Sequence, residues 1–339
     1  MKEFRHTIQP SEECVECKEG LFWTVFLQDD DSLPVFLAQG GAGDPEQFFR
    51  FLLTRDTTLE PSAAASFFSI QAPKGGCSVC SVTAQGGGYL FGRNFDFRRC
   101  NMVIVKAKPR TGYASISTVN SDFTGTRPGI KFPDPRLENL FRLLLYYLPM
   151  DGMNERGLCV SINNIRDQVN IHQSQKGKTN QTVNTLVRTL LDCAADVDEA
   201  LAILYITNFH TVDGYLTHLI IADAKGQCVC AEYLNNQLYI SDARVVTNHY
   251  LTPGEKFGIG TKQSHLRFQT LQRIIQENNG FFEPDGLKQA LTSVAKSNYP
   301  ADGERFTEWS VIYDQWNRSA CYFRRENFEN GYVLTLGSD

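Results

Sequence analysis

The chain has 339 residues, of which 42% are hydrophobic and 21% charged, a composition that excludes disorder and supports a large buried core in one or two domains. Its 33 Lys and Arg residues and 38 Asp and Glu residues give a formal net charge of −5, so it lacks the basic field that attracts nucleic acid or anionic bilayers. The longest apolar stretch, near residues 140–148, contains Arg142 and is much shorter than the roughly 20 residues of a membrane span. We therefore expect neither a nucleic acid partner nor a membrane span.

The amino-terminal residues and the cysteines favour a cytoplasmic location. The opening sequence MKEFRHTIQPSEEC places charges where a secretory signal has its apolar stretch. The chain has ten cysteines, spread along its length rather than concentrated in a short secreted framework. We expect them to be reduced, and most of them to be small buried apolar residues.

Residues 1–76 differ in pattern from the rest of the chain, and we predict that they form a leader subdomain. Within them, residues 21–37 indicate one or two strands, residues 45–54 indicate a helix, and residues 61–66 are small with polar flanks. The boundary is placed before Cys77, because strand patterns dominate from that residue onward.

Residues 77–339 alternate between strand and helix patterns. The predicted strands, rich in β-branched and aromatic residues, are CSVCSVTA, YLFGRNFDF, NMVIVKAK, YASISTV, GLCVSINNI, LTHLIIAD, QCVCAEYL, residues 237–246, WSVIYD and SACYFRR. The predicted helices cover residues 181–193, 196–205, 264–277 and 285–296, the second with Asp196 as its N-cap. This order predicts an antiparallel-rich α/β layer fold.

Three residues in this part of the chain suggest an activated nucleophile. Cys77 begins the first predicted strand, and Arg93 and Asp96 lie on the strand that returns beside it. A guanidinium near a thiol favours the thiolate and lowers its pKa, and a carboxylate accepts protons from a nearby amine. The alternative is a packed hairpin with a surface Arg–Asp pair, which the short pattern taken alone favours.

The same residues resemble the choloylglycine hydrolase family of N-terminal nucleophile hydrolases, which includes bile salt hydrolases, penicillin V acylases and relatives of acid ceramidase. In that family a nucleophilic cysteine stands 16 residues before the arginine of a G-R-N-x-D segment, as Cys77 stands before Arg93, whereas Cys80 does not fit. Further similar segments follow in consistent order: DGMNERGLCVSIN, VVTN, LRF and EWSVIYD. The resemblance covers residues 77–339 and implies a four-layer αββα sandwich of the α+β class, preceded by the leader.

The resemblance also implies a role for each matching residue. Cys77 is the expected nucleophile with its own α-amino group as general base, while Arg93 holds the thiolate and Asp96 binds the α-amino group. Asn248 is expected to donate its side-chain N–H to the oxyanion, a contact worth about 3 kcal/mol in such sites. Arg267 is expected to lie close to the nucleophile. The implied activity is hydrolysis of the C–N bond of a small N-acyl amide, for which no metal or organic cofactor is required.

The second oxyanion donor is Asn163 or Asn164, because direct counting along the strand selects Asn164 and one gap selects Asn163. Strand alternation lets only one of them face the site, and we favour Asn163. Alternation also puts Arg93 and Asp96 on opposite faces of their strand, so we expect the chain to bend between them if both serve the nucleophile.

The leader distinguishes this chain from bile salt hydrolases, which expose their cysteine by losing only the initiator methionine. Here residues 1–76 precede Cys77, as in the ceramidase-like relatives that cleave themselves. We expect the Cys77 thiol to attack the carbonyl of Gly76, which offers little steric hindrance, and water to open the resulting thioester. The precursor is then a zymogen, and residues 77–339 form the active chain.

A zinc site is a competing interpretation of the cysteines. Cys14, Cys17, Cys77 and Cys80 form two C-x-x-C pairs, but the 59 residues between the pairs are more than zinc ribbons usually have. This interpretation would make the protein a zinc-structured or non-catalytic binding module. We expect Cys80 to lie on the opposite face of the strand from Cys77 and to be buried.

A papain-like protease is the rival enzyme hypothesis, since Asn248 and His249 could pair with Cys77. However, neighbours on a strand point in opposite directions, and the cysteine is not followed by the helix that such proteases use. Acyl transfer to an amine is the closer alternative, because it would use the same residues as hydrolysis.

The acyl group of the substrate is not encoded in these spacings, and a bile acid, a fatty acid and a phenoxyacetyl-like group are all candidates. Phe95, Phe97, Phe123 and Tyr250 flank the candidate site and are candidates for lining an acyl pocket. A homo-oligomer is compatible with the resemblance, because relatives often assemble as dimers or tetramers.

Overall fold

The computed structural model describes residues 23–55, 59–65, 68–69, 76–299 and 306–337. The strands are β1 Trp23–Gln28, β2 Gly76–Ala84, β3 Tyr89–Phe97, β4 Met102–Lys108, β5 Ser115–Asn120, β6 Asp151–Asn154, β7 Cys159–Gln168, β8 Thr179–Thr182, β9 Thr207–His210, β10 Tyr215–Ala222, β11 Cys228–Leu234, β12 Gln237–Asp242, β13 Val245–Val246, β14 Phe281–Phe282, β15 Phe306–Asp314, β16 Ser319–Arg324 and β17 Tyr332–Thr335. The helices are α1 Ser32–Ala38, α2 Pro45–Thr54, α3 Pro61–Ala65, α4 Pro135–Tyr147, α5 Val183–Cys193, α6 Val197–Tyr205, α7 Lys262–Glu277 and α8 Pro284–Ser293, with 3-10 turns at Ser121–Thr124 and Lys296–Asn298.

Most of these strands belong to two sheets that pack face to face. Sheet I has the strand order β1-β4-β5-β6-β7-β10-β11-β12, and sheet II has the order β13-β2-β3-β15-β16-β17 with β14 beside β2. The strands of both sheets run mainly antiparallel, although β1 is parallel to β4 and β14 is parallel to β2. Helices α5 and α6 pack on sheet I, while α7 and α8 pack on sheet II. The fold is therefore the four-layer αββα sandwich that the resemblance implied.

Side chains of sheet II alternate between the interior of the sandwich and the outer helices. Arg93 and Trp309 of sheet II both donate hydrogen bonds to the carboxylate of Asp151 in sheet I. Asn94, the next residue after Arg93, points the other way and donates to the carbonyl of Leu291 in α8 at 2.8 Å. A side chain on β2 or β3 therefore faces either sheet I or the layer of α7 and α8.

The elements with strong local signals match their predictions. Residues 45–54 form α2 over the predicted range. Asp196 caps α6, because its carboxylate accepts the N–H of Glu199 at 3.0 Å. The predicted segment YLFGRNFDF is β3 without change.

Several regions differ from the predictions, including the short strands β8, β9, β14 and β17, which were not predicted. The strand expected up to residue 37 ends at Gln28, because Leu33 and Phe36 recur at helical spacing and form the buried side of α1. The strand expected over residues 237–246 is divided between β12 in sheet I and β13 in sheet II. Helix α4 was not predicted, although an Asp-Pro pair begins it and Asp134 accepts the N–H of Arg136.

Residues before Cys77 contribute to the sandwich itself. β1 adds a parallel strand to the edge of sheet I, in register from Trp23 opposite Val103 to Gln28 opposite Lys108. We call the apolar residues that bury this region the leader cluster. It joins Val25, Leu27, Leu33, Phe36, Ala42, Phe48, Phe51, Leu52, Leu59, Ala64 and Phe68 to Val103, Val105, Ala107, Val119, Leu137, Leu140, Phe141, Leu144, Leu145, Tyr146, Tyr147 and Leu148.

Aromatic contacts form the centre of the leader cluster. The ring of Tyr147 in α4 lies 5.8 Å from that of Phe36 and 5.2 Å from that of Phe48, measured between centroids. Its hydroxyl is 2.7 Å from Oγ of Ser32. Ala42, also in the cluster, donates its main-chain N–H to the carbonyl of Asn180 at 2.7 Å. The leader is thus bound both by apolar packing and by main-chain hydrogen bonds.

The cysteines in the described ranges are all free. Those that are buried are Cys77, Cys80, Cys100, Cys159, Cys228 and Cys230, whereas Cys193 is exposed and Cys321 is intermediate. Cys14 and Cys17 lie outside the described residues. In the described part of the chain, no helix has both the length and the hydrophobicity needed to cross a membrane.

Replacing Phe48 tests the packing of the leader. Phe48 is 2% exposed, so Phe48→Ala removes a buried ring from the leader cluster and is expected to lower the free energy of unfolding by about 3–5 kcal/mol. Urea denaturation of the intact 339-residue chain measures the change. Phe26→Ala, at a ring that is 41% exposed on β1, is the matched control and should cost less than about 1 kcal/mol. Equal losses in the two variants would contradict the packing.

Candidate active site

Cys77 is the second residue of β2 and is 1% exposed. Its side chain lies on the face of sheet II that packs against sheet I, where Nη2 of Arg93 donates a hydrogen bond to Sγ at 3.3 Å. Burial raises the pKa of the thiol above its ordinary value, and the charge and hydrogen bond of Arg93 oppose this rise without cancelling it. In the intact chain the thiol is therefore protonated at neutral pH, with a cation held beside it.

Arg93 is fixed in place by sheet I. Its Nη1 donates to the carbonyl of Met150 and to the carboxylate of Asp151, and its Nη2 donates to the carbonyl of Ile162 at 2.8 Å. The guanidinium and the carboxylate of Asp151 are both fully buried. Because these acceptors set the orientation of the guanidinium, one N–H remains directed at the sulfur.

The main chain of Cys77 is contacted from the opposite face of sheet II. Arg267 of α7 donates from Nη1 to the carbonyl of Cys77 at 2.8 Å, to Oδ2 of Asp96 at 3.0 Å and to Oγ of Ser78 at 2.6 Å. Asp96 also accepts a hydrogen bond from Oγ1 of Thr307 at 2.8 Å. Asp96 and Arg267 thus form a buried ion pair behind the backbone of Cys77.

The prediction that β3 bends between Arg93 and Asp96 is wrong, because its pairing with β2 is regular there. β2 and β3 pair in regular antiparallel register from Gly76 opposite Asp96 to Thr83 opposite Tyr89. The two side chains do point to opposite faces, and both reach Cys77 because Arg93 contacts its sulfur and Asp96 lies beside its backbone. Ordinary strand alternation therefore produces the arrangement, and the register shift beside Asp96 lies in the pairing of β3 with β15, between Thr307 and Trp309.

Asn248 follows β13 and links the two sheets. Its Oδ1 accepts the main-chain N–H of Cys77 at 3.0 Å and an N–H of Arg267 at 2.7 Å. Its Nδ2 donates to the carbonyl of Asn164 at 2.7 Å. Because the oxygen of the amide is held by two donors, its nitrogen is the end that remains to donate.

The side chains of Asn163 and Asn164 point to opposite faces of β7. Nδ2 of Asn163 donates to the carbonyls of Val246 and Thr247 at 3.1 Å each, which places it toward sheet II beside Asn248. Oδ1 of Asn163 is buried without a hydrogen-bond partner among the described residues. Nδ2 of Asn164 instead reaches the carbonyl of Leu216 on the neighbouring strand at 3.4 Å.

Cys80 and His249, which the zinc and papain-like hypotheses require near Cys77, both lie away from the Cys77 thiol. Cys80 packs in the apolar cluster beneath α7 and α8, on the opposite face from Cys77, and burial raises its pKa to about 12. The two thiols therefore cannot bind one zinc ion. His249 contacts Ser264 at 2.9 Å and stacks on His265 at 4.1 Å between centroids, instead of facing Cys77 as a papain-like site requires.

One buried cluster in the described residues has the side-chain types of a metal site. Nδ1 of His218 lies 2.8 Å from a carboxylate oxygen of Glu232 and 3.3 Å from the sulfur of Cys230. Glu232 also accepts the N–H groups of Leu251 and Thr252. Burial raises the pKa of Glu232, but His218 and Thr252 outweigh this and lower it to about 2. The direct hydrogen bonds make the cluster an anchor for the turn after Asn248.

Four residues of the site were not assigned a role from the sequence: Asp151, Ser78, Thr307 and Ser264. Asp151 opens the segment DGMNERGLCVSIN, which resembles the family as a whole but does not by itself indicate a partner for this carboxylate. Ser264 precedes Arg267 by three residues in α7, so helical spacing is the signal that connects it to the site.

Sequence comparison identifies a family that covers just over half of the chain. The family described as linear amide C–N hydrolases, choloylglycine hydrolase family, matches residues 77–251. A search of curated proteins finds no match. The matched range includes Cys77, Arg93, Asp96, Asn163 and Asn248.

Solved structures of similar fold include enzymes from Clostridium perfringens and Agrobacterium tumefaciens. A mutant of the conjugated bile acid hydrolase from Clostridium perfringens has 17% sequence identity and a TM-score of 0.50, covering 78% of this chain and 97% of that chain. Another variant of that enzyme has 16% identity and a TM-score of 0.53, with the same coverage. Penicillin V acylase from Agrobacterium tumefaciens has 16% identity and a TM-score of 0.52, covering 76% of this chain and 90% of that chain.

At this level of identity the solved structures establish the fold, and the family match establishes the reaction class. The chain belongs to the choloylglycine hydrolase family, the linear amide C–N hydrolases.

Proposed function

We propose that the protein is a cysteine N-terminal nucleophile hydrolase, which cleaves the C–N bond of an N-acyl substrate through a thioester on Cys77. The observation that carries this proposal is the contact at 3.3 Å between Nη2 of Arg93 and Sγ of Cys77. A buried cation that is fixed by Asp151 stabilises the thiolate at the moment it forms. A buried guanidinium directed at the sulfur supports a role for Cys77 as a nucleophile, because an inert buried cysteine needs no such partner.

The first step in this proposal is scission of the Gly76–Cys77 bond. Sγ adds to the carbonyl carbon of Gly76 as the thiol proton passes to the departing amide nitrogen, and the C–N bond breaks to leave a thioester. Water then adds to the thioester, which releases Gly76 as a carboxylate and restores the thiol. The products are a leader ending at Gly76 and a chain with a free α-amino group on Cys77.

The new α-amino group would form in a prepared position. In the intact chain the nitrogen of Cys77 already donates to Oδ1 of Asn248. The carboxylate of Asp96 lies beside Gly76, since an added Cβ on Gly76 would be 3.4 Å from Oδ2. Removal of the peptide bond turns this nitrogen into a base next to a carboxylate and an amide oxygen, which is what proton transfer from the thiol requires.

Hydrolysis of the substrate then follows two steps. The α-amino group takes the thiol proton, the thiolate adds to the amide carbonyl, and the departing amine receives the proton as the thioester forms. Water activated by the same amino group cleaves the thioester. Nδ2 of Asn248 and Nδ2 of Asn163 are our proposed donors to the oxyanion. Each must turn from a main-chain carbonyl to the substrate, Asn248 from that of Asn164 and Asn163 from one of its two present partners.

We further propose that the leader stays bound after scission. β1 is hydrogen-bonded along its length to β4, and the leader supplies about half of the residues in the leader cluster. Dissociation would expose this apolar surface on both parts, at a cost of about 25 cal/mol for each Å². The active enzyme would then consist of residues 1–76 and residues 77–339 as two associated chains.

The substrate class in this proposal is an N-acyl amide with an apolar acyl part. The solved relatives act on conjugated bile acids and on penicillin V, by their names. On the thiol side of β3, Phe95, Phe97 and Phe123 form a continuous aromatic row, with centroids 5.8 Å and 5.4 Å apart. Bile-salt-like amides, N-acyl amino acids and N-acyl amines are the candidates, and the free cysteines are consistent with a reducing cytoplasm.

Replacing the nucleophile tests the proposed chemistry. Cys77→Ser is expected to abolish both the scission at Gly76 and amide hydrolysis, because both need the thiol. Denaturing intact-mass measurement detects scission, and a panel of conjugated bile salts, N-acyl amino acids, N-acylethanolamines and penicillin V detects hydrolysis. Cys80→Ala is the matched control and should retain both. An active wild-type enzyme that still carries residues 1–76 covalently would refute the self-cleavage.

Native mass spectrometry tests whether the leader remains. After scission, the native mass should equal the sum of both chains, while the denatured sample should give two separate masses. Phe48→Ala should weaken the association and increase the fraction of free leader, whereas Phe26→Ala should not. A processed, active enzyme whose native mass lacks residues 1–76 would show that the leader dissociates.

Replacing Arg93 tests the stabilisation of the thiolate. Arg93→Lys keeps a charge beside Asp151 but loses the fork of donors, so the pKa of the Cys77 thiol should rise and kcat should fall at least about tenfold. The pH dependence of iodoacetamide alkylation of the processed enzyme measures the pKa. Arg99→Lys, at an exposed arginine that pairs with Glu308, is the control. An unchanged alkylation profile in Arg93→Lys would remove the proposed role of Arg93.

A further inference from the structure

One face of α7 holds Asn248 at both its main chain and its side chain. Oγ of Ser264 accepts the main-chain N–H of Asn248 at 2.7 Å. Nη2 of Arg267 donates to Oδ1 of the same residue at 2.7 Å. Ser264 and Arg267 are three residues apart and therefore lie on the same side of the helix. Together they set the position of the backbone and the direction of the amide, with Nδ2 as its donating end.

The hydroxyl of Ser264 is fully buried and lies within hydrogen-bond distance of two acceptors for its proton, Nδ1 of His249 and, at 2.9 Å, Oγ1 of Thr247. Nδ1 of His249 lies 2.9 Å from Oγ of Ser264. Burial, together with the neighbouring His265, lowers the pKa of His249 to about 4, so the imidazole is neutral at ordinary pH and can accept. Ser264 can then donate to His249 while it accepts from Asn248, and both bonds are satisfied. Thr247 adds a third contact, because its Oγ1 donates to the Ser264 carbonyl at 3.0 Å.

The backbone around Asn248 has little room to move. An added Cβ on Gly260 would lie 2.4 Å from Cβ of His249 and 3.0 Å from the carbonyl oxygen of Asn248, so only glycine permits this close approach. On the other side, Glu232 accepts the N–H groups of Leu251 and Thr252. Within this confined turn, Oγ of Ser264 is the acceptor that the main-chain N–H of Asn248 finds among the described residues, so this hydroxyl helps to fix the peptide that carries the Asn248 side chain.

We propose that Ser264 is a positioning residue of the active site, which acts through Asn248 and uses His249 as the acceptor of its hydroxyl proton. This inference rests on the proposed function, because it requires Asn248 to donate to the oxyanion. It assigns to α7 a second contact with the site beyond Arg267.

The effect of Ser264 should appear in the chemical step. Ser264→Ala leaves the buried N–H of Asn248 without its acceptor, so the amide loses its alignment with the developing oxyanion. Because that contact strengthens in the transition state, kcat should fall about 10- to 100-fold while KM changes less than about twofold.

A double-mutant cycle separates positioning from general destabilisation. The wild type, Ser264→Ala, Asn248→Ala and the double variant are compared as processed holoenzymes with one substrate of the panel. If Ser264 acts through Asn248, Ser264→Ala should change kcat less than about twofold in the Asn248→Ala background. For variants that are purified before scission is complete, the rate of scission at Gly76, followed by intact mass, replaces kcat in the cycle, because Asn248 also contacts the scissile peptide.

Two further variants control for folding. Ser264→Thr keeps the hydroxyl and should retain kcat within about fivefold of wild type. Ser310→Ala removes a different buried hydroxyl, which donates to Asn94 at 2.7 Å, and should change the thermal unfolding midpoint without changing kcat. Equal losses from Ser264→Ala in both backgrounds, or a loss in Ser264→Thr as large as in Ser264→Ala, would overturn the inference. Full activity of Asn248→Ala alongside an inactive Cys77→Ser would also overturn it but leave the nucleophile intact, whereas an active Cys77→Ser would overturn the proposed function itself.

Discussion

The hydrogen bond from Arg93 to the sulfur of Cys77 depends on contacts that cross the whole interior of the sandwich. Arg93 and Cys77 belong to sheet II, but the groups that orient the guanidinium, namely Asp151 and the carbonyls of Met150 and Ile162, belong to or adjoin sheet I. A buried cation is tolerated only when it is paired and hydrogen-bonded. The face-to-face packing of the two sheets supplies those partners, so the site exists only while the sandwich is assembled.

Cys77 is contacted on two faces by two different sets of residues. Its thiol is buried between the sheets beside Arg93, while its carbonyl and the preceding residue meet Arg267 and Asp96 in the layer of α7. In the proposed chemistry, the cation that would stabilise the thiolate and the carboxylate that would serve the backbone nitrogen therefore lie on opposite faces of sheet II. Arg93 is paired with Asp151 and Asp96 is paired with Arg267, so each of these buried charges has its own partner.

The leader is attached to the rest of the protein in two ways. The proposed chemistry breaks the peptide bond at Gly76, whereas the packing of the leader would persist. β1 completes an edge of sheet I, and the aromatic residues of α1 and α2 cover α4. Scission at Gly76 would remove one peptide bond without disturbing these contacts. Activation would therefore change the chemistry at one nitrogen while the fold around it stays as it is, which suits a site whose residues are already in place.

The sequence by itself determined the residue types of the site and the faces they occupy. Alternation along β2 and β3 separates Cys77 from Cys80 and Arg93 from Asp96, and this follows from the two-residue period of any strand. The spacing of 16 residues between Cys77 and Arg93 also carries the resemblance to the choloylglycine hydrolase family. These are local properties, which a short segment carries wherever it is placed.

Only the tertiary structure decided which residues meet. Asp151 became the partner of Arg93, Asn163 rather than Asn164 turned toward sheet II, and Ser264 reached Asn248. Each of these contacts joins segments far apart in the chain, so no local pattern specifies it. Burial of Cys77 likewise depends on both sheets, and that burial raises the pKa of the thiol. Pairing and desolvation are properties of the assembled layers, because a side chain loses water only when its neighbours arrive.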